Sequence, residues 1–143
     1  MVEKIKTTEL ENQLSDINSF SDYIEKNDDE LIINTELAEY LEKLIDETGC
    51  KKSDIIKQTN LNRAYVYQIF EGRKIPSRDK LISIAIGMGL DFESIQKLLK
   101  YAGLRPLYAR DLRDAAIIFS VKKGCSFNET NCTLYDQGLK ILE

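Results

Sequence analysis

A glycine follows each apolar-periodic run of this chain: Gly49, Gly72, Gly89, Gly103 and Gly124. Glycine is favoured just past a helix end because it takes left-handed backbone there without a Cβ penalty. The chain is thereby cut into helical lengths, and the apolar spacing inside them agrees. Leu37, Tyr40, Leu41, Leu44 and Ile45 lie on the 3.6-residue stripe of a first core helix, capped by Asn34 or Thr35. Two short helices are expected next, from Ser53 to Thr59 and from Arg63 to Phe70. Ser77 caps a fourth helix that buries Leu81, Ile84, Ala85 and Met88, and Pro76 blocks continuation of what precedes it. Asp91 caps a fifth, which packs Phe92, Ile95, Leu98 and Leu99. Residues 35–102 are expected to form a five-helix unit.

Beyond Pro106, a helix from about Arg110 to Lys122 carries an apolar block, Ala115 to Phe119, dense enough for burial on more than one face. Ser126 and Glu129 form a capping box, so a further helix should begin there and run to about Gln137. Ahead of the core, Thr8 to Ile17 and Ser19 to Lys26 look weakly amphipathic. The run Asn27-Asp28-Asp29-Glu30 is a turn or linker, and Leu31-Ile32-Ile33 is too short and isolated to make a sheet. The expected class is all-α, divided into an acidic helical segment at 1–34, the unit at 35–102 and a helical extension at 103–143.

The same residues exclude several functions. No apolar run approaches the ~18 residues of a membrane span and Met1 to Lys6 lacks a secretory signal, so a cytoplasmic protein without membrane contact is expected. Cys50, Cys125 and Cys132 fit no disulfide framework or zinc motif. Histidine is absent, which removes Ser/His and Cys/His pairs and the commonest general base. There is no glycine-rich phosphate loop, and Glu36, Glu39 and Glu42 have the spacing of a solvated helix face. No catalytic residue, metal or cofactor is expected, and the chain is not expected to be an enzyme.

Charge is segregated beneath a formal total of -4. Cys50 to Lys80 carries eight Lys/Arg against three acids, a net +5, whereas residues 1–34 carry nine acids against three lysines, a net -6. Phosphate attraction depends on potential within a Debye length, ~8 Å at physiological salt, so the local patch outweighs the acidic whole. Within the basic segment, Ile56 stands on the first short helix, Asn60 in the turn and Val66 inside the second helix. The turn is expected to need a residue that accepts positive φ, for which Asn60 is the best choice after glycine. Asn62 is expected to cap the second helix by accepting from the N–H near Tyr65.

With these elements placed, residues 35–102 resemble the lambda-repressor-like helix-turn-helix family. The features that carry the likeness are the apolar first helix, the Gly49-to-Val66 spacing, Gly72, the basic loop to Pro76-Ser77 and the run from Leu81 to Leu90. The resemblance implies base reading by Arg63, Ala64, Tyr67 and Gln68. Arg63 suits guanine, Gln68 adenine, and Ala64 a thymine methyl. It also implies phosphate contacts from Lys51, Lys52, Ser53, Arg73, Lys74 and Arg78. The chain departs from the family at Ile56, where a small residue is usual, at Asn60, where glycine is usual, and at Phe70, where a polar residue is usual. Phe70 reads as core or as an apolar surface for a partner, and Tyr65 and Tyr67 as packing or recognition.

The function implied is a sequence-specific transcriptional regulator of the repressor kind, binding double-stranded DNA as a homodimer paired through its C-terminal helices. The alternative is a protein-interaction module built on an adapted helix-turn-helix fold, such as an antitoxin, a phage-defence component or an inhibitor, that binds a protein partner through the adapted helix-turn-helix and its N-terminal or C-terminal helices. The acidic segment, Phe70 and the C-terminal extension favour the alternative.

Overall fold

The computed structural model describes residues 6–27 and 35–143, and among these it is all-α, with nine helices and no strand. The chain divides into two compact units, Met1–Ile33 and Asn34–Glu143. The first holds α1 (Thr7–Asp16) and α2 (Phe20–Lys26). Asn27 closes α2 by donating from Nδ2 to the Tyr23 carbonyl at 3.1 Å and to Gln13 Oε1 at 2.6 Å, which ties the two helices together. The candidate cap Asn34, most of the expected linker at 27–30 and the 31–33 run lie outside the described residues.

The second unit contains α3 (Thr35–Thr48), α4 (Lys52–Gln58), α5 (Arg63–Phe70), α6 (Arg78–Gly87), α7 (Phe92–Tyr101), α8 (Leu112–Lys122) and α9 (Phe127–Asp136). Its centre is α6. Every residue from Leu81 to Gly87 is buried, so α6 has no polar face and no amphipathic period. It packs on α4, α7 and α9, which together surround it. Each fully buried Ile or Leu there contributes about 1.5–3 kcal/mol of hydrophobic stabilisation. One core runs from Leu37 through Val66 and Ile84 to Ile117, Leu134 and Leu142, so the C-terminal helices share the core of the preceding five.

Local signals account for the helix ends. Asn62, Ser77, Asp91 and Ser126 each accept from the backbone N–H three residues on, and Glu129 returns the bond to the Ser126 N–H. Gly89 shows what glycine does at the other end: at φ +77° it lets the Leu90 N–H reach back to the Ala85 carbonyl. The helix expected from Arg110 starts two residues later, because Asp111 serves as its cap by accepting from the Asp114 N–H at 2.9 Å.

The turn between α4 and α5 corrects an expectation. Among the described residues no non-glycine has positive φ, so Asn60 is not left-handed. Thr59 instead leaves α4 into extended backbone at φ -122°, ψ 175°. Its hydroxyl donates to the Ile55 carbonyl at 2.7 Å and accepts from the Leu61 N–H at 3.3 Å. A threonine side chain thus makes the turn bonds, and no left-handed residue is needed. Of the adjacent isoleucines, Ile55 is the one fully buried, and Ile56 packs at the core's edge.

Two reciprocal ion pairs fix α8 to α6. Arg78 binds Asp114 through both carboxylate oxygens, at 3.0 and 2.8 Å, and Arg113 binds Asp79 in the same way, at 2.9 Å for each contact. The first residues of α6 and the start of α8 therefore exchange Arg and Asp partners. Two amides hold segments outside the helices: Gln96 pairs with both backbone groups of Leu107 in the loop before α8, and Asn131 with both of Leu142 after α9. Among the described residues no helix is long and apolar enough to cross a membrane.

Candidate nucleic-acid interface

The surface around α5 is set by what α5 buries. Val66, Ile69 and Phe70 face the core, which settles Phe70 as core and leaves Arg63 and Ala64 exposed and Tyr67 and Gln68 half-buried. The start of the helix is fixed by Asn62 Oδ1, which accepts from the Tyr65 N–H at 3.2 Å. Tyr65 is a packing residue: it is half-buried against the core, with Lys80 Nζ 5.8 Å from its ring. Burial pushes its phenol up in pKa, and a hydrogen bond with the Ser77 backbone pulls the other way.

From the surface inward to Phe70, cations and rings alternate. Arg63 Cζ stands 5.3 Å from the Tyr67 ring centre, and Lys52 Nζ stands 5.8 Å from that same ring and 5.2 Å from Phe70. Lys52 is held in turn by Glu42 of α3 at 2.5 Å. Sequence reading missed this link, because Glu42 and Lys52 lie on different helices and form no local pattern.

The six cations and hydroxyls that the resemblance assigns to phosphate separate by environment. Lys51 and Lys74 are exposed, and Ser53 is half-buried at the start of α4. Lys52 is engaged as described, and Arg73 pairs through Nε with Glu71 at 3.3 Å. Arg78 has a structural role. Beyond its two bonds to Asp114, it donates from Nε to the Arg105 carbonyl at 2.8 Å and from a terminal nitrogen to Pro106 at 3.0 Å. That donor set faces the loop before α8, which leaves little of the guanidinium for a phosphate. Burial pushes the partner carboxyl of Asp114 up, but the hydrogen bonds from Arg78 and from the Tyr108 N–H outweigh it and hold the group below the usual carboxylate range.

Beside α5, the groove against α3 is lined by Glu39, Glu42, Asp46 and Glu71, with Lys43 as its cation. A polyanion is repelled there, so the basic edge of α5 is confined to Arg63, the start of α4 and the loop after Gly72. Among the described residues no cluster of His, Cys, Asp and Glu has the arrangement of a metal site. In comparison with known proteins, no family model matches the chain, and no curated protein or solved structure matches it.

Proposed function

We propose that this protein is a sequence-specific DNA-binding transcriptional regulator of the repressor kind, in which α3 to α7 form a lambda-repressor-like core and α5 enters the major groove. The observation that carries this reading is the presentation of α5. Asn62 and the buried Val66–Ile69–Phe70 side hold the helix, with Arg63 and Ala64 exposed on the outside and Tyr67 and Gln68 half-buried beside them. A helix N-terminus so fixed can aim an arginine at a guanine edge, where a bidentate contact discriminates by about 1–3 kcal/mol. Lys51 and Lys74 supply outward phosphate charge. Exposed Leu112, Phe119 and Tyr135 are the apolar residues of α8 and α9 available for pairing two chains on two half-sites.

A second reading, a protein-interaction module, is favoured by the acidic groove beside α5 and by the pairing of Lys52, Arg73 and Arg78 with Glu42, Glu71 and Asp114. Selection from a random DNA pool, followed by binding to the selected site across salt concentrations, separates the two. With Lys51 and Lys74 from each chain of a dimer on phosphates, log K against log salt should slope by about -3.6, a loss of roughly 150-fold between 50 and 200 mM. Alanine at either lysine should flatten the slope by about 1.8 per dimer. A pool without an enriched sequence, or an affinity indifferent to salt, refutes the DNA reading.

A further inference from the structure

Arg63 occupies a position that general physics disfavours. It is the first residue of α5, where the helix dipole is positive and a cation gains nothing from it. A flexible arginine there should extend into solvent with most of its rotamer freedom. Instead the guanidinium stands 5.3 Å from the ring of Tyr67, one helical turn on. That ring is not free to follow it. Tyr67 is half-buried, and Lys52, held by Glu42, stands 5.8 Å from its centre and also beside Phe70, which is in the core. A chain of contacts therefore runs from the core through Phe70, Lys52 and Tyr67 to Arg63.

We propose that Tyr67 is a positioning residue for Arg63: its ring, half-buried and in contact with Lys52, holds the guanidinium in place for a guanine edge, so Tyr67 sets base selectivity without touching a base. This inference rests on the DNA-binding reading and assigns Tyr67 a different role from the base contact that the resemblance implies. A guanidinium attracted to a ring uses its face, and its in-plane N–H donors stay available for a bidentate acceptor. Arginine also carries substantial rotamer entropy, and a contact made before binding reduces what is lost on binding. Lys52 has a corresponding part: its own charge faces Glu42 and two rings, so it contributes to selectivity through Tyr67.

The test compares wild type with Tyr67→Phe, Tyr67→Leu and Arg63→Ala on three duplexes: the selected site, the same site with the Arg63-read base pair exchanged, and a random sequence. Phenylalanine keeps the quadrupole and should keep the discrimination between the first two duplexes. Leucine keeps apolar bulk but not the quadrupole, and should lower discrimination about three- to fivefold, as an exposed cation–π contact predicts. Affinity for the random duplex should not change. Arg63→Ala should abolish discrimination at that base pair, and adding Tyr67→Leu to it should cost nothing further. In the free protein, the side-chain Nε–H proton resonance of Arg63 should show a ring-current shift in wild type and Tyr67→Phe that is absent in Tyr67→Leu. Full discrimination in Tyr67→Leu, or equal losses in Tyr67→Phe and Tyr67→Leu, overturns the proposal, the latter by showing that the hydroxyl makes the contact. Absence of the ring-current shift in wild type overturns it without involving DNA. A wild-type protein that prefers no sequence removes the DNA reading itself, an outcome recognised by Arg63→Ala also having no effect.

Discussion

Replacing Asp114 by alanine should cost about 2–4 kcal/mol of folding stability. Asp114 is 1% exposed, and its carboxylate accepts from Arg78 through both oxygens and from the Tyr108 N–H. Removing one partner of a buried ion pair costs about 3–5 kcal/mol, because the other charge is left without compensation. The lower range applies here because Arg78 is 17% exposed and keeps its bonds to the Arg105 and Pro106 carbonyls. For a domain of this size that is a fall in Tm of roughly 8–15 °C. Urea denaturation measures it directly, and an unchanged m value would show that the folded and unfolded states keep their exposed areas. The folded-state pKa of Asp114 is depressed, so its contribution is present in full above the unfolded value of ~3.9 and is lost as pH falls through the folded one. Asp91 and Glu129, held low by cap bonds from Ser94 and Ser126, add acid sensitivity in the same direction. The alanine variant should lose the Asp114 part of that dependence and keep theirs. Pairing Arg78→Met with Asp114→Leu should recover part of the loss, since no charge is left behind although the Tyr108 N–H still lacks its acceptor. A cost below about 1 kcal/mol for Asp114→Ala, or no recovery in the double variant, would refute the assignment of Arg78 as a clamp on α8.

What the sequence made legible was local. Caps at Asn62, Ser77, Asp91 and Ser126 follow from residues three apart, and each bond is present. Helix ends at the glycines follow from one residue's conformational freedom, and all five have positive φ. What was illegible depended on partners distant in sequence. Arg78 reads as an exposed cation at a helix start until Asp114, 36 residues on, is placed against it. Lys52 reads the same way until α3 brings Glu42 to it. Ile55 and Ile56 differ by about 100° around one helix, and only the direction from which α6 packs decides which is buried. The error at Asn60 has another origin. A turn of this length admits more than one backbone path, and the hydroxyl of Thr59 selects one that stays at negative φ. For the candidate interface, the outward placement of Arg63 and Ala64 and the Arg63–Tyr67 contact follow from helix periodicity, whereas the approach of Lys52 to Tyr67 is tertiary.

The remaining predictions concern the α4–α5 pair and the helix it packs on. Gly87→Ala places a Cβ 2.9 Å from Thr59 Cγ2 and 3.3 Å from Ile55 Cγ2. Overpacking of about 1–3 kcal/mol should exceed the ~1 kcal/mol gain in helix propensity, and a variant as stable as wild type in urea would show that α4 shifts freely over α6. Asn62→Ala should lower stability by about 1 kcal/mol and Asn62→Ser should nearly restore it; equal losses would mean the cap bond is not what Asn62 supplies. The turn itself gives a prediction decided by sign. If Asn60 were held at positive φ, Asn60→Gly would relieve strain and stabilise by about 1 kcal/mol. Because Asn60 is not left-handed, glycine there only widens the unfolded ensemble and should destabilise by about 0.4–1 kcal/mol. Thr59→Val keeps the methyl that faces Gly87 but removes the acceptor for the Leu61 N–H, so it should cost about 1–3 kcal/mol through an unsatisfied donor. Thermal melts of the two variants beside wild type read both signs at once. Stabilisation by Asn60→Gly together with a neutral Thr59→Val would return the turn to a left-handed, glycine-type path; losses in both assign its geometry to the threonine hydroxyl.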